Sequence, residues 1–544
     1  MLARGLGLGL ELACFMDNLI IKQKLSMLSS GLELLSKNWG TDPVISGLAY
    51  DSRRVKQGNI FVALRGEHTD GHRFLEQAFK QGAVAFVVED RQALASLALP
   101  YVVVPDCRQA LSSLAARLYG FPSQDLYVIG VTGTDGKSTT VYFIYQLLTA
   151  LGFKAGFIST VSLQAEAGLE DNPFRQSTPE APEIQEFLAR LKTCGKEIAV
   201  VEATSHGLSS KTCRLKDVIF DAGVFTNLGH EHLEFHGTYE DYRESKARLF
   251  KSLAQRTGKK KSFLRIAFIN LDDPQAEFFS QACGSIPVWT YALKNTWARL
   301  RAFDLKVLPE GTSFKVTDRL VIEDVFLPVA GLFNVENFLA SLISVAGITG
   351  ISWQEIAKLA RRLKLPKGRM ESVVCGQPFR VLVDFAHTPQ AFGKLLPIMK
   401  KETAGRLIVV FGSAGERDLG KRQMQGELAC RYADLVILTD EDPRGEPSLK
   451  ILNEIAQGCK DKKEGENLFL IPDRHKAIQK AFLLAKEQDT VLLLGKGHEK
   501  SIIYQNYVRP WDEKEVAQEI LAGMGFALFN IRDEGGKATG KGKL

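Results

Sequence analysis

The chain has 544 residues, too many for one hydrophobic core, so two to four domains are expected. Its composition is that of a globular protein, 45% hydrophobic and 24% charged, and a formal net charge of +6 is small for the length. Basic residues are nowhere massed with aromatics or along one helix face, which argues against a nucleic-acid surface, and no run reads as the ~18 apolar residues of a membrane span.

Residues 1–24 read as an N-terminal extension. Its apolar start is interrupted by Glu11 and followed by no small-residue cleavage site, so a signal peptide is not expected. Cys14, Cys107, Cys194, Cys213, Cys283, Cys375, Cys430 and Cys459 are scattered without a Cys-x-x-Cys pair. Neither a disulfide framework nor a zinc site is expected, and a reducing, cytoplasmic location follows. From 25 to 125, short apolar strands (59–64, 83–88) alternate with helical stretches such as 72–80. A second domain, 126–364, opens with an apolar strand at 126–131 that runs into a glycine loop and then a helix at 139–151. Buried-strand patterns recur at 198–201, 223–226 and 266–270. This alternation predicts an α/β fold built on mostly parallel sheets.

Pro366 and Gly368 place a linker at 364–370, and a third domain spans 365–524. Its strands at 380–384, 406–411, 435–439 and 490–494 end in polar or glycine-rich tips at 386–389, 412–417, 440–446 and 495–499. Ligands of open α/β sheets bind beyond the carboxyl ends of strands, so these tips form a candidate site. The segment 525–544 carries Lys537, Lys541 and Lys543 among small residues and reads as a disordered basic tail.

The loop Gly133-Thr134-Asp135-Gly136-Lys137-Ser138, followed by Thr139, lies between a strand and a helix, the context a phosphate loop requires. Its glycines let backbone N–H groups close on phosphate oxygens. Lys137 adds a point charge at a helix N-terminus, and the Ser138 hydroxyl suits Mg²⁺. The spacing is shorter than the usual Walker form. Glu202 ends a strand and is followed by Ala203, Thr204, Ser205, His206 and Gly207, so a cation ligand and a helix cap are equally open readings. The histidines of Asn227-Leu-Gly-His-Glu-His232-Leu-Glu-Phe-His-Gly237 match no zinc spacing. On spacing alone Lys246 is an ordinary helix-surface lysine.

These motifs, in this order, resemble the Mur ligases over about 25–521, and within them the ligases that add a diamino acid to a UDP-N-acetylmuramoyl-dipeptide. Tyr50-Asp-Ser52-Arg-Arg-Val, Gly58-Asn-Ile-Phe-Val-Ala and Asp70-Gly-His72-Arg-Phe carry the likeness at the start, where a uridine-nucleotide domain is implied. The resemblance implies a three-domain ligase with a central P-loop-type ATP domain and a C-terminal Rossmann-like domain. Using ATP and Mg²⁺, it would phosphorylate a substrate carboxylate and let an amine displace the phosphate in peptidoglycan precursor synthesis. Phosphoryl transfer of this kind needs positioning and cations more than covalent help.

By the same resemblance Lys137 acts on phosphates, Ser138, Glu202 and His232 hold magnesium, and Lys246 is carboxylated by CO₂ to an anion. Asn334 and Asn337 match an adenine-contacting stretch, while Arg369 and Asp384 match nucleotide contacts from the third domain. Ser52, His72, Ser177, Thr178, Thr204 and Arg214 fall to the UDP-substrate, with Arg214 displaced by two residues from the family spacing. Arg417, Glu441, Asp442, Arg444, Gly495 and Glu499 fall to the acceptor amino acid. Arg444 suits the extra carboxylate of meso-diaminopimelate, which is the favoured acceptor, whereas the acids at 441 and 442 suit the ammonium of L-lysine. Small-molecule partners and a monomer are expected. Two rivals are a folylpolyglutamate synthase, which shares the central domain but should lack the 50–74 block, and a non-catalytic amidation subunit, in which the ligands above should have decayed.

Overall fold

The computed structural model describes residues 19–526, apart from 67–68, 95–98, 167, 175, 230, 232, 256–258, 260–263, 309–310 and 330. His232, most of the N-terminal extension and the basic tail beyond Phe526 therefore lie outside the described residues. The chain divides into two compact units, 1–364 and 365–544.

The first unit begins with a five-stranded sheet of β1 (Ser36–Asn38), β2 (Gly47–Ala49), β3 (Asn59–Val62), β4 (Ala83–Val88) and β5 (Tyr101–Val103), in the order β1-β5-β4-β3-β2. All pairings are parallel except that of the edge strand β1. Ala85 and Val87 of β4 face one apolar layer with helix α2 (Cys107–Leu118), while Ala83, Phe86 and Val88 face a second with α1 (Leu75–Lys80). Burial on both faces is why β4 reads as an unbroken apolar run. The helix expected at 72–80 is instead a 3₁₀ turn, Gly71–Phe74, capped by Asp70, followed by α1. The extension expected at 1–24 is also too long. Ile21 N–H donates to Leu118 O at 2.8 Å, and Gln23–Lys24 pairs with Val44–Ile45, so the fold has begun by Leu19.

The remainder of this unit is an eleven-stranded sheet. Its elements are β6 (Tyr127–Thr132), α3 (Lys137–Ala150), β7 (Ala155–Ile158), β8 (Ser162–Gln164), β9 (Glu170–Asp171), α4 (Ala181–Thr193), β10 (Ile198–Glu202), β11 (Ala222–Phe225), α5 (Tyr239–Gln255), β12 (Ile266–Asn270), α6 (Ala276–Ala282), β13 (Val288–Ala292), β14 (Leu300–Leu308), β15 (Gly311–Thr317), β16 (Ile322–Leu327) and α7 (Leu332–Thr349). The strand order is β9-β8-β7-β10-β6-β11-β12-β13-β14-β15-β16. The stretch from β7 to β14 is parallel, which places the carboxyl ends of β7, β10, β6 and β11 side by side. The antiparallel extension β14–β16 was not among the expected strands, although Thr312, Phe314 and Val316 of β15 show the period-2 burial of a half-covered strand. Helix α7, contrary to the reading that no run reaches membrane length, is long and apolar enough to span a bilayer. It is 72% buried inside this unit, where Phe338, Leu342 and Val345 have no exposed surface.

The second unit carries β17 (Glu371–Ser372), β18 (Arg380–Asp384), α8 (Pro389–Glu402), β19 (Leu407–Phe411), α9 (Gly420–Tyr432), β20 (Leu435–Leu438), α10 (Ser448–Ala456), β21 (Leu468–Leu470), α11 (Arg474–Leu484), β22 (Thr490–Leu494) and α12 (Glu513–Gly523). Its sheet runs β17-β18-β22-β19-β20-β21, and all pairings but β17–β18 are parallel. Cys430 on α9 and Cys459 after α10 form a disulfide with Cα atoms 5.4 Å apart. Their 29-residue separation left no local pattern to read.

Candidate active site

The phosphate loop leaves β6 at Gly133 (φ 149°) and enters α3 through Gly136 (φ 82°), backbone conformations that L side chains rarely adopt. Space also demands glycine there, since a Cβ on Gly133 would sit 1.9 Å from Thr226 Oγ1 and one on Gly136 2.1 Å from Asn337 Oδ1. The loop is clamped by the next strand tip. Asn227 accepts from Thr134 N–H through its carbonyl at 2.8 Å and from Asp135 N–H through its side chain at 2.9 Å. Thr226 Oγ1 donates to Asp135 O at 2.7 Å. These bonds fix the loop's shape, and the first-turn amides of α3 are the orphan donors that an anion can satisfy. Lys137 donates to Thr134 O at 2.6 Å, so its ammonium stands over its own loop.

Glu202 is buried at the end of β10 beside that loop. Ser138 Oγ donates to its Oε2 at 2.9 Å, Thr160 N–H to the same oxygen at 2.8 Å, and Thr160 Oγ1 to Oε1 at 2.9 Å. A hydroxyl and a buried carboxylate meeting at the start of a phosphate loop are hard oxygen donors of the kind magnesium takes. Among the described residues no group of three His, Cys, Asp or Glu side chains gathers for a metal, and the third ligand implied by the resemblance, His232, lies outside them.

Lys246 is not the surface lysine that spacing alone suggests. It is 1% exposed on α5, and its Nζ donates to Gly133 O at 2.6 Å and lies 4.4 Å from the Tyr242 ring centroid. Burial, and then the Lys137 ammonium, push its amine well below the usual lysine range, against the pull of Glu231, Asp135 and Glu202. Burial of this kind favours the uncharged amine over the ammonium, and the uncharged amine is the nucleophile that CO₂ addition requires.

Asn334 and Asn337 are buried on α7, and Asn337 faces the phosphate loop, with Thr140 Oγ1 donating to its Oδ1 at 3.4 Å. Thr139 is buried in the first turn of α3. Thr178 and Thr204 hydroxyls meet at 2.8 Å behind Glu202, whose carbonyl accepts from Thr178 Oγ1 at 3.1 Å, and Ser177 is half-buried alongside.

Three of the residues assigned to the UDP-substrate have partners within the protein. His72 Nδ1 pairs with Asp70 at 2.7 Å and its Nε2 accepts from Glu89 N–H at 3.1 Å, which braces the first sheet. Ser52 likewise donates to Gln77 at 2.9 Å. Arg214 is committed to Glu180 through Nε and Nη2, at 3.1 and 2.8 Å, and to Thr178 O at 3.1 Å, which makes it a support for the 177–180 turn.

In the second unit, Asp384 accepts from Met370 and Ala386 N–H groups at 2.8 and 2.7 Å, and Arg369 lies over the Phe385 ring. Arg417 is exposed in the tip after β19. Glu441, Gly495 and Arg444 belong to the tips after β20 and β22. Arg444 is half-buried at φ 53° with its Nε unpartnered. Asp442 Oδ1 accepts from the buried Lys496 at 2.9 Å, and Glu499 pairs with the same lysine at 2.6 Å. The tips rest on two buried arginines that no local pattern announced. Arg422 donates to Ala414 O, Glu446 and Glu454, and Arg474 to Asp440 O, Leu494 O and Glu513.

Profiles described as Mur ligase family, catalytic domain; Mur ligase middle domain; and Mur ligase, glutamate ligase domain match residues 44–119, 131–345 and 368–497. The chain belongs to the Mur ligase family. It is 45% identical over 503 residues to UDP-N-acetylmuramyl-tripeptide synthetase of Treponema denticola, a match covering 88% of this chain and 94% of that protein. It is 38% identical to UDP-N-acetylmuramoyl-L-alanyl-D-glutamate–2,6-diaminopimelate ligase of Syntrophomonas wolfei, covering 92% and 99%. A solved 2,6-diaminopimelate ligase structure superposes with a TM-score of 0.62 at 29% identity, over 93% of this chain and 100% of that one. Folylpolyglutamate synthase of Mycobacterium tuberculosis, 16% identical with a TM-score of 0.58, shares the fold. This Mur ligase is thus an ATP-dependent, amide-forming enzyme acting on small molecules.

Proposed function

We propose that this Mur ligase joins a diamino acid to UDP-N-acetylmuramoyl-L-alanyl-D-glutamate in the cytoplasm, acting as a monomer in three domains, 25–125, 126–364 and 365–524, the first extended back to Leu19 at least. The names of the two relatives above support the substrate. The observation that carries the chemistry is the phosphate loop with Ser138 and Glu202 converging beside a buried Lys246.

In this reading the α3 amides and Lys137 hold the nucleotide phosphates, and Asn334, Asn337, Arg369 and Asp384 are further nucleotide contacts. Ser138, Glu202 and His232 would hold magnesium, which supplies positive charge against the phosphate oxygens when bound. Carboxylated Lys246 would turn a buried cation into an anion among these groups and so favour cation binding. Ser177, Thr178 and Thr204 face the dipeptide substrate, whose carboxylate takes the γ-phosphoryl group. The acceptor amine then displaces phosphate to form the amide.

Meso-diaminopimelate is the favoured acceptor and L-lysine the next. Arg444 suits a distal carboxylate, a group that lysine lacks. The test is ATP-dependent ligation with meso-diaminopimelate, L-lysine and L-ornithine offered in parallel. Tripeptide product from diaminopimelate is expected, and absence of product from all three would refute the function.

A further inference from the structure

Helix α5 meets the phosphate loop through two side chains one turn apart. Tyr242 and Lys246 stand at i and i+4 on the same face of the helix, and both are buried. Lys246 Nζ reaches Gly133 O at 2.6 Å, and Tyr242 Oη reaches Thr134 Oγ1, on the next residue of the loop, at 2.8 Å. The helix therefore holds consecutive loop residues by two rungs. The Thr134 hydroxyl also accepts from Gly229 N–H at 2.7 Å, which joins the segment after β11 to the same point. The Tyr242 ring lies 4.4 Å from Lys246 Nζ and 5.3 Å from the His236 ring, so the ring is packed while its hydroxyl is bonded.

A buried phenol needs a hydrogen-bond partner, and a carbonyl of the surrounding core would satisfy it. Here the partner is instead a side chain inside the phosphate loop, at a residue held from every polar group. Thr134 N–H donates to Asn227 O at 2.8 Å, and Thr134 O accepts from Lys137 at 2.6 Å, which leaves the hydroxyl as the link to α5. Without that link Lys246 would still stand on α5, but the helix could shift against the loop. A displacement of about 1 Å at a group that acts on the reaction can cost on the order of a hundredfold in rate.

We propose that Tyr242 is a positioning residue: its hydroxyl bridges α5 to Thr134 and so keeps the Lys246 amine in register with the phosphate loop. This rests on the reading of residues 133–138 as the nucleotide site. The ring alone fills the space, and the single oxygen sets the register.

The full-length enzyme tests it by a double-mutant cycle. Tyr242→Phe should lower kcat about tenfold, with the KM values for the UDP-dipeptide and the diamino acid changing less than about threefold. In a Thr134→Val background, where the bridge is already gone, the same change should cost less than about twofold. In a Thr134→Ser background, which keeps the hydroxyl, it should again cost about tenfold. Equal losses in the Val and Ser backgrounds, or no loss in either, overturn the proposal. Should Thr134→Val fail to fold, Tyr242→Phe alone decides, and an unchanged kcat overturns the proposal. Calorimetric titration of the wild type with ADP separates the two readings. Absence of binding defeats the nucleotide site, whereas binding without coupling between positions 134 and 242 defeats the bridge alone.

Discussion

Arg422→Met tests the buried support of the acceptor tips. Arg422 has no exposed surface and grips both oxygens of Glu446, at 2.9 and 3.0 Å, as well as Glu454 and Ala414 O. That grip, with the Glu416 N–H, lowers the Glu446 carboxyl from 4.5 to about 2. Glu446 is 17% exposed, so solvent screens the pair little. The whole shift corresponds to about 3 kcal/mol at 1.36 kcal/mol per unit, shared among Arg422, the Glu416 N–H and Lys450, and breaking a buried pair costs ~3–5 kcal/mol by independent experience. Met recovers some packing, so about 3 kcal/mol is expected. At roughly 2–4 °C per kcal/mol for a unit of this size, its calorimetric transition should fall by about 6–12 °C at pH 7. The sign with pH is fixed, because a carboxyl depressed in the folded state stabilises fully above its unfolded value near 4.5 and loses that contribution as pH falls towards 2. The gap between wild type and variant should therefore narrow by roughly 1 kcal/mol at pH 4. A gap below about 1 kcal/mol at pH 7, or one that widens on acidification, would refute the reasoning.

Lys137→Ala should abolish turnover while circular dichroism and the melting transitions stay those of wild type, since this half-exposed side chain acts on a ligand; near-normal activity would remove the phosphate-loop reading. Lys246→Ala should lose most activity, and short carboxylates or bicarbonate should partly restore it by filling the vacated anionic position. An unmodified lysine in crystals equilibrated with CO₂, together with an active alanine variant, would count against carboxylation. Arg444→Ala should lower kcat/KM for diaminopimelate by a factor of at least roughly 30, because losing a charged partner in a closed site costs ~2–5 kcal/mol. Lysine use should change little, and an untouched diaminopimelate rate would remove the main support for that acceptor.

Much of this fold is legible because parallel strands buried on both faces are written as unbroken apolar runs. The strands at 380–384 and 490–494 have the limits their sequence suggests. The phosphate loop is legible for a different reason: two glycines and a Lys-Ser pair satisfy steric and electrostatic needs within six residues. What stayed hidden depends on partners far along the chain. Nothing local tells Asp442 from an open acid or Lys496 from a surface lysine, because each is defined by the other across 54 residues. The same holds for His72, one of whose ring partners, Glu89, lies 17 residues away. The hairpin strands β14–β16 went unnoticed because half-covered strands alternate polar and apolar residues, a weaker signal than a continuous run.

Helix α7 has a consequence for how the chain is made. It is as greasy as a membrane segment, and left exposed on a ribosome it would invite aggregation or misdelivery. Yet its main packing partners, α3 and strands β11 to β14, are all translated before it, and only the short helix Trp353–Ala357 comes after. Synthesis from the N-terminus thus presents the finished groove first and the adhesive helix last. A circular permutant that began at α7 would keep every contact of the folded protein and reverse that order, with lower yield of soluble protein from cells at unchanged equilibrium stability as the expected signature.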